Sequence, residues 1–412
     1  MFRQLSFAIQ WHITSACPNH CRHCYMFDRN YTEVLSSELD LKTQKNFIKN
    51  LKVFENKYSV FFPKIIITGG DPLIKENWFE FIHFLKNDGR YVEIMGVPET
   101  ITDNNINKLK KLNIEHFQMS LDGMEFTHDF IRGVGSFKRT LHVAKKLLEN
   151  GIRPIFSFTL HDKNAADLIP LINTLVKELP SFLFAFDFLV CGGEKNFENK
   201  LTPNQILTIF ENYLQLKKEL KKVHPAVQLI EKSHLFAVYH NIMEQTGHET
   251  GTYSYIGGCY NGFSSLAVLA NGDIMPCRRL SISIGNYMET SFEDIFLNNL
   301  LMKQFRRREY FIGCADCEHY MICRGCPAIS YGESNNCFSK PSTCFVKELP
   351  SIKTNFRYLA PPPLNGSPQE EMDYILRSYD NQLLLQKKQL LRILEGDSSS
   401  FDFNSDFFKI FY

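Results

Sequence analysis

Three cysteines near the N-terminus have a spacing that suits an inorganic cluster. Cys17, Cys21 and Cys24 are separated by three and then two residues, directly behind an apolar segment. A loop this short can wrap three thiolates around one iron–sulfur cluster. A cubane of four irons needs four ligands, so one iron stays open, as catalytic metal sites generally do. The alternative interpretation is a zinc knuckle that takes its fourth ligand from His20 or His23.

A second set of cysteines lies between residues 259 and 344. In a long chain without a signal peptide, short C-x-x-C spacings favour metal ligation over disulfides. The members are Cys259, Cys277, Cys314, Cys317, Cys323, Cys326, Cys337 and Cys344. This region predicts a second iron-rich site that serves the first, with zinc ribbons as the alternative. Cys191 is isolated from both sets, and we expect a buried free thiol there.

Alternating strand and helix patterns between residues 5 and 190 position the first set. The strand candidates are short and apolar on both faces, as buried parallel strands are. They are Phe7–Ile13, Lys64–Thr68, Tyr91–Met95, His116–Leu121, Pro154–Leu160 and Phe182–Leu189. The helix candidates are Lys42–Phe54, Trp78–Asn87, Asp103–Leu112, Phe137–Asn150 and Ala165–Leu179. Six β/α units predict an α/β fold with a partial (β/α)6 barrel, and the cysteine loop follows its first strand, where reactive groups belong.

The rest of the pattern divides the chain into four predicted parts. Residues 1–200 form the partial barrel, and residues 201–255 form a helical bridge with Thr202 and Pro203 at its N-terminus. Residues 256–350 form a cysteine-rich α+β domain whose main helix is Ser291–Phe305. Residues 351–412 comprise a Pro-rich linker, a helix and an aromatic tail. That helix begins with a capping box at 367–370 and is expected to end at Gly396.

The spacing CxxxCxxC followed by Tyr25 resembles that of the radical S-adenosylmethionine (SAM) superfamily. The resemblance implies that Cys17, Cys21 and Cys24 hold a radical-generating 4Fe–4S cluster, with SAM on the fourth iron. One-electron cleavage of SAM then gives a 5′-deoxyadenosyl radical, which abstracts a hydrogen atom from the substrate. These three cysteines are therefore the predicted catalytic ligands.

Two further segments resemble SAM-binding motifs of the same superfamily. Gly69, Gly70 and Asp71 are similar to its GGE motif, whose main chain contacts the amino group of SAM, and close approach of a ligand favours glycine. The segment with Ser120, Asp122 and Arg132 looks like the fourth-strand region of the peptide-modifying branch. There the resemblance implies contacts to the ribose and carboxylate of SAM, the latter suited to a guanidinium.

The second cysteine set resembles the SPASM extension, which implies two auxiliary 4Fe–4S clusters and three clusters in all. By order, Cys314, Cys317, Cys323 and Cys344 hold the cluster further from the barrel. Cys259, Cys277 and Cys326 hold the nearer one. Ser265 stands where some relatives have another cysteine, so the nearer cluster either lacks a fourth protein ligand or recruits Cys337. Only two residues separate Cys323 from Cys326, where the family pattern has three.

The resemblance predicts a maturase that cross-links a ribosomally made precursor peptide. Auxiliary clusters would accept the electron that a substrate radical must lose, and a thioether is the preferred product, with a carbon–carbon bond next. One alternative is a radical SAM enzyme for a protein or non-peptide substrate, as in sulfatase maturation or cofactor biosynthesis. Sulfatase-maturing relatives carry an aspartate where Arg278 stands, which disfavours that chemistry. Another alternative is a non-catalytic iron–sulfur or zinc protein for electron transfer or binding.

Charge and length limit the partners. A net charge of +1 with 22% charged residues does not favour binding to nucleic acid or a membrane surface. No apolar run suits a membrane span, so we expect a cytoplasmic protein. The expected partners are the precursor peptide and an external one-electron donor of flavodoxin or ferredoxin type. The chain starts at the barrel, so leader recognition is expected from a separate protein, from the C-terminal helix and the tail Phe401–Tyr412, or not at all.

Overall fold

The structure is a computed structural model. It describes residues 3–4, 7–24, 37–190, 199–245, 258–351 and 359–378. Four sequence predictions therefore fall outside the described residues: those on Tyr25, on Cys191, on the helix end at Gly396 and on the tail Phe401–Tyr412.

A mixed α/β architecture contains all six predicted strands. In chain order the strands are β1 Arg3–Gln4, β2 Ala8–Thr14, β3 Val60–Phe61, β4 Lys64–Gly69, β5 Tyr91–Met95, β6 His116–Ser120, β7 Arg153–Leu160, β8 Phe182–Phe188, β9 Val227–Ile230, β10 Ser265–Val268, β11 Asp273–Met275 and β12 Gly285–Asn286. The helices are α1 Leu41–Tyr58, α2 Trp78–Asn87, α3 Asp103–Lys111, α4 Glu125–Arg132, α5 Ser136–Glu149, α6 Leu168–Glu178, α7 Pro203–Val223, α8 Leu235–Gln245, α9 Leu300–Phe305, α10 Tyr320–Cys323, α11 Pro327–Ser334 and α12 at 368–378. Among these described helices, none combines the length and the apolar character that a bilayer crossing requires.

The main sheet is a partial barrel. Its strand order is β12-β11-β10-β2-β4-β5-β6-β7-β8-β9. All neighbours from β10 to β9 are parallel, whereas β11 and β12 are antiparallel additions. The end strands β9 and β12 do not pair with each other in the described part of the chain, so the barrel stays open. The predicted fold class is confirmed.

Four strands extend the sheet beyond the six predicted ones, and two of them, β9 and β10, continue its parallel part. β9 lies inside the segment predicted to be wholly helical from Thr202 to Gln245, so that prediction was wrong for Val227–Ile230. Four residues between two long helical patterns are too few to show a strand period of their own. β10 comes from the cysteine-rich region and pairs in parallel with β2, so the sheet crosses the boundary predicted at residue 256.

Three helical details differ from the sequence predictions. Helix α4 was missed, as were the short helices α10 and α11. The predicted helix Ser291–Phe305 is divided into a π-helical turn, Asp294–Asn298, and α9. Asn299 causes the division because its backbone is extended and its side chain accepts a hydrogen bond from the Met302 amide, which makes it the N-cap of α9.

Other helix ends agree with their sequence signals. Gly151 follows α5 with φ +76°, as a C′ glycine does. Thr202 and Gln205 form a reciprocal capping box with Pro203 at the first helical position of α7. These signals are reliable because they depend on local backbone chemistry alone.

The two faces of the parallel strands have different roles. On β7 and β8, Phe158, Phe184 and Phe186 are fully buried, and Phe186 packs on aromatic side chains of α7 and α8. The alternate residues Thr159 and Asp187 are half-buried and lie opposite each other in the register. Because side chains alternate along a strand, this second set faces the concave side of the sheet, which we call the lumen.

The C-terminal segment 359–378 is fixed to the cysteine-rich region by a buried charge cluster. Glu371 is fully buried and pairs with Arg306 at 3.0 Å and with Arg307 at 2.6 Å. The Lys303 ammonium donates hydrogen bonds to the carbonyl oxygens of Leu364 and Gly366, each at 2.9 Å. The predicted capping box at 367–370 is confirmed by reciprocal hydrogen bonds between Ser367 and Glu370.

Replacing Glu371 by Gln should strongly destabilise the protein. The change leaves two buried guanidinium groups without a carboxylate, and the expected loss in the free energy of unfolding is about 3–5 kcal/mol. The exposed neighbour Glu370 offers a control, because Glu370→Gln keeps a side chain that can complete the capping box. Chemical denaturation of both variants measures the difference, and equal stabilities would contradict this account of the segment.

Candidate functional site

The loop after β2 brings three cysteines together. Cys17, Cys21 and Cys24 are all half-buried, and the Cys24 amide donates a hydrogen bond to the Cys21 carbonyl at 3.0 Å. Burial, followed by the charges of Cys21 and Cys24, raises the pKa of Cys17 to about 12. A thiol with so high a pKa is protonated at neutral pH, so a bound metal must displace its proton.

The end of β4 packs directly on this loop. The amide of Gly70 donates to the Thr14 carbonyl at 2.9 Å, and the amide of Asp71 donates to the Ala16 carbonyl at 2.7 Å. A Cβ on Gly69 or on Gly70 would lie 2.2 Å from a carbonyl oxygen of this segment. The close packing of the chain's own backbone thus requires glycine at both positions. The contact of this segment with SAM, which the sequence analysis expects, stays a prediction.

The Asp71 side chain is committed to the fold. It is fully buried, and it accepts hydrogen bonds from the Thr100 hydroxyl at 2.5 Å and the Leu73 amide at 3.0 Å. Burial raises its pKa to about 6 despite these donors. Its main chain is therefore the part left for the predicted contact with SAM.

Asp122 connects the cysteine loop to the sheet. Its fully buried carboxylate accepts from Arg132 Nε at 2.5 Å and from the Thr159 amide at 2.7 Å, and His23 Nε2 lies 3.3 Å away. Burial alone would raise the pKa of Asp122, but Arg132 and His23 outweigh it and hold the pKa well below its usual range. The predicted contact of Asp122 with SAM stays a prediction, whereas the structure gives this residue a positioning role.

Arg132 connects the hydrogen bonds around Asp122 to the cysteine loop. Its Nη1 lies 3.5 Å from Cys21 Sγ, and the preceding residue, Ile131, accepts a hydrogen bond from the Arg22 amide at 3.0 Å. Helix α4, which the sequence analysis missed, therefore holds the loop through both its backbone and its last side chain. Ser120, at the end of β6, is half-buried opposite Ser157 of β7 on the same lumen.

Three cysteines of the second set lie beside the lumen. Cys259, Cys277 and Cys326 influence one another electrostatically, and burial is the main cause that raises the pKa of Cys259 to about 12 and of Cys326 to about 11. The Cys259 amide also donates to the carbonyl of Cys323 at 2.9 Å. We call Cys259, Cys277 and Cys326 the nearer cysteine group.

Four other cysteines form a separate group. They are Cys314, Cys317, Cys323 and Cys344. Burial is the main cause that raises the pKa of Cys314 to about 11 and that raises the pKa values of Cys317 and Cys323, and the nearby Cys344 contributes to all three shifts. The two groups are those that the order of the sequence predicted, although their ligand roles stay predictions. Among the described residues, no three His, Cys, Asp or Glu side chains converge tightly enough for a single metal ion.

Cys337 lies apart from both groups. It is buried, its neighbour Phe338 packs on Phe305 and Phe311, and burial raises its pKa to about 11 with no contribution from another cysteine. Ser265, on β10, directs its hydroxyl to the Pro276 carbonyl at 3.4 Å. The nearer group thus contains three cysteines in the part of the chain that the structure describes.

An ion pair joins the nearer cysteine group to the barrel. Arg279 pairs with Asp187 at 2.8 Å and donates to the Phe188 carbonyl at 3.1 Å. Burial tends to lower the pKa of Arg279, but Asp187 and the nearby thiols of Cys326 and Cys277 raise it. Sequence reasoning missed Asp187, whose signal is a single charge within the apolar strand Phe182–Phe188.

Replacing Asp122 by Asn should weaken both the fold and the retention of iron. Removing the charge leaves Arg132 without its carboxylate partner, which for a buried pair lowers the free energy of unfolding by about 3–5 kcal/mol. It also weakens the contacts that position His23 and Cys21. We expect a lower free energy of unfolding and less iron per chain after anaerobic reconstitution. Asp162→Asn, at an exposed position, is the control, and full iron retention by the Asp122 variant would contradict this role.

Acidification should destabilise the fold through buried histidines. Burial lowers the pKa of His128 and of His161 to about 4, and both are fully buried. An unfolded histidine titrates near pH 6.5, so below that pH only the unfolded chain takes up these protons, and stability falls as the pH drops toward 4. Between pH 7 and pH 5.5 we expect a loss of about 1 kcal/mol per histidine. Denaturation curves at the two pH values measure this drop in the free energy of unfolding. The drop should be smaller for His161→Gln than for the control His142→Gln, at an exposed position, and equal drops would contradict the role of His161.

Comparisons with known proteins agree with this geometry. The radical SAM superfamily model matches residues 11–175, and that of the SPASM iron–sulfur cluster-binding domain matches residues 259–327. The chain is 26% identical over 351 residues to the AdoMet-dependent heme synthase of Methanosarcina barkeri (strain Fusaro / DSM 804), which covers 82% of this chain and 96% of that protein. It is 25% identical over 287 residues to the sporulation killing factor maturation protein SkfB of Bacillus subtilis (strain 168), covering 69% and 63%.

A solved structure shows the same fold. Streptococcus suis SuiB bound to S-adenosylmethionine matches with a TM-score of 0.63 at 17% identity, over 83% of this chain and 77% of that one. Radical SAM domains use SAM and a 4Fe–4S cluster, and SPASM domains bind auxiliary iron–sulfur clusters, so the prediction of a radical SAM enzyme with these cofactors is confirmed. The chain is therefore a radical SAM enzyme whose partial barrel is followed by a SPASM domain.

Proposed function

We propose that this enzyme cross-links a ribosomally made precursor peptide, with a thioether as the product. The observation that carries the proposal is the nearer cysteine group beside the lumen. It offers three thiols among the described residues, so a four-iron cluster held there has one iron left for a substrate thiolate. A peptide cysteine bound in this way would lie next to the lumen in which hydrogen abstraction begins.

A continuous series of contacts runs between the two sites. It begins at Cys21, passes through Arg132 and Asp122 to Thr159, and reaches Asp187 across the β7–β8 register. Arg279 completes it beside the nearer group. The ends of β6 and β8 are two strand spacings apart, roughly 10 Å, so a peptide segment in the lumen can reach both sites.

The chain's own residues prepare this chemistry. Bound cofactors, a 4Fe–4S cluster with SAM, supply the one-electron chemistry for hydrogen abstraction. Cys17, Cys21 and Cys24 would hold that cluster. Arg132 places a positive charge next to Cys21, beside the position that a negatively charged cluster would take. The main chain of Gly69–Asp71 is the proposed contact for the amino group of SAM.

The relatives support a peptide substrate in part. SkfB is by name a maturation protein for the sporulation killing factor, and SuiB has been crystallised with its precursor peptide SuiA. A precursor peptide is therefore the proposed partner, together with an external one-electron donor of flavodoxin or ferredoxin type and a separate leader-recognition protein.

A second candidate is the modification of a small cofactor precursor. The observation that favours it is the heme synthase alignment, which covers 96% of that relative's length, against 63% for SkfB. In this case the open position at the nearer group would accept an electron or a substrate ligand other than cysteine. The two candidates share every residue assignment above and differ only in the molecule that fills the lumen.

Cys277→Ala should separate hydrogen abstraction from cross-linking. With the precursor peptide encoded beside the gene, the reduced wild-type enzyme should lower the peptide mass by two hydrogens per bond. The variant should still form 5′-deoxyadenosine but leave the peptide mass unchanged, because only the nearer group is altered. Mass spectrometry and chromatography measure both products.

Cys337 provides the matched control, because it lies outside both cysteine groups. Cys337→Ala should retain cross-linking. The ligand assignment would be contradicted if the Cys277 variant cross-linked the peptide and the Cys337 variant did not. Formation of 5′-deoxyadenosine by the wild-type enzyme without any change in peptide mass would contradict the peptide proposal and favour the second candidate.

A further inference from the structure

Two cations beside the nearer cysteine group have no ion-pair or hydrogen-bond partner among the described residues. They are Lys232 and Arg278, and both are half-buried. Ala185 of β8 pairs with Ile230 of β9, so continuing this register by two residues places Lys232 next to Asp187 at the carboxyl end of the sheet. Arg278 directly follows Cys277 and precedes Arg279, the residue that pairs with Asp187.

Positive charge is concentrated at this position. Lys232, Arg278 and Arg279 lie within electrostatic range of one another, and Asp187 is the carboxylate that the described residues place among them. Burial, together with the two arginines, lowers the pKa of Lys232 to about 8, whereas Asp187 and Cys277 raise it. Asp187 and the thiols of the nearer cysteine group offset part of this positive charge, and two half-buried cations without an ion pair of their own among the described residues leave a favourable position for a further anion.

The position selects the kind of anion. The carboxyl ends of barrel strands are where substrates bind, and this one lies between the lumen and the nearer group. A guanidinium and an ammonium side by side suit a carboxylate, since the planar fork of arginine can bind both of its oxygens. Arg279 is already occupied by Asp187 and the Phe188 carbonyl, so Lys232 and Arg278 are the available donors.

We propose that Lys232 and Arg278 bind the side-chain carboxylate of an acidic residue in the precursor peptide. The proposal rests on the proposed function and adds a substrate determinant to it. An acidic residue anchored here fixes the neighbouring peptide segment against the nearer cysteine group. The Asp187–Arg279 pair acts as a positioning element that keeps the loop after Cys277 in reach of the lumen.

Binding measurements test the site on the reconstituted, full-length enzyme under anaerobic conditions. The probe is the fluorescently labelled precursor peptide encoded beside the gene, together with versions in which each Asp or Glu is changed singly to Asn or Gln. The double variant Lys232→Gln, Arg278→Gln should bind the native peptide about tenfold more weakly or worse. Among the altered peptides, the one that lacks the bound carboxylate should bind the wild-type enzyme about tenfold more weakly than the native peptide does. The double variant should bind that peptide and the native peptide with equal affinity.

A carbodiimide cross-link identifies the contact directly. This reagent joins an amine to a carboxylate only where the two already touch, so it should link Lys232 to that one acidic residue. Lys232→Gln should abolish the link. The control enzyme Lys222→Gln, Arg377→Gln loses the same charge at exposed positions and should keep native affinity and the link.

Several outcomes would overturn the proposal that Lys232 and Arg278 bind a peptide carboxylate. Equal affinity of the wild-type enzyme and the double variant overturns it, as does equal binding of all acid and amide peptides or no binding of the peptide at all. A changed reduction potential of the auxiliary cluster with unchanged peptide affinity would mean that the cations serve the thiolates alone.

The site and the proposed function can fail separately. Cross-linked product formed equally from acid and amide peptides refutes the carboxylate site and keeps the function. Carboxylate-dependent binding without any change in peptide mass refutes the function and keeps the site.

Discussion

The buried carboxylate of Asp122 is the interaction on which the catalytic arrangement depends. A charge in the interior is tolerated only when it is paired and hydrogen-bonded. Here its partners come from three different elements: Arg132 of α4, Thr159 of β7 and His23 of the cysteine loop. Satisfying one charge therefore fixes the position of the loop against the sheet. The loop with Cys17, Cys21 and Cys24 is therefore held rigidly against the barrel without being part of a strand.

A second ion pair has the corresponding role at the other side of the lumen. Asp187 and Arg279 connect β8 to the loop that carries Cys277, while β10 pairs directly with β2. The SPASM region is thus joined to the barrel through both its sheet and its charges. At its far side, Glu371 ties the C-terminal segment to Arg306 and Arg307. Both charged connections pair a carboxylate with arginine, which gives the multi-part fold a defined geometry.

The sequence predicted what depends on local patterns and could not predict what depends on tertiary pairing. The six strands, the cap at Thr202 and the three-cysteine loop follow from period, capping chemistry and spacing. The strand Val227–Ile230 became visible only through its pairing with β8. Asp122 was expected to contact SAM, because nothing in its neighbours along the chain reveals that Arg132 and His23 fold back onto it. The carboxylate of Asp187 was missed for the same reason.

The central claim is that the nearer cysteine group leaves an iron for a substrate thiolate. Electron–nuclear double resonance on the reduced enzyme, with a precursor peptide carrying ¹³C at its cysteine β-carbon, tests this most directly. The account predicts a ¹³C coupling to an auxiliary cluster that disappears with a Cys→Ser peptide and in the Cys277→Ala enzyme. A cross-linking enzyme that shows no such coupling would contradict it.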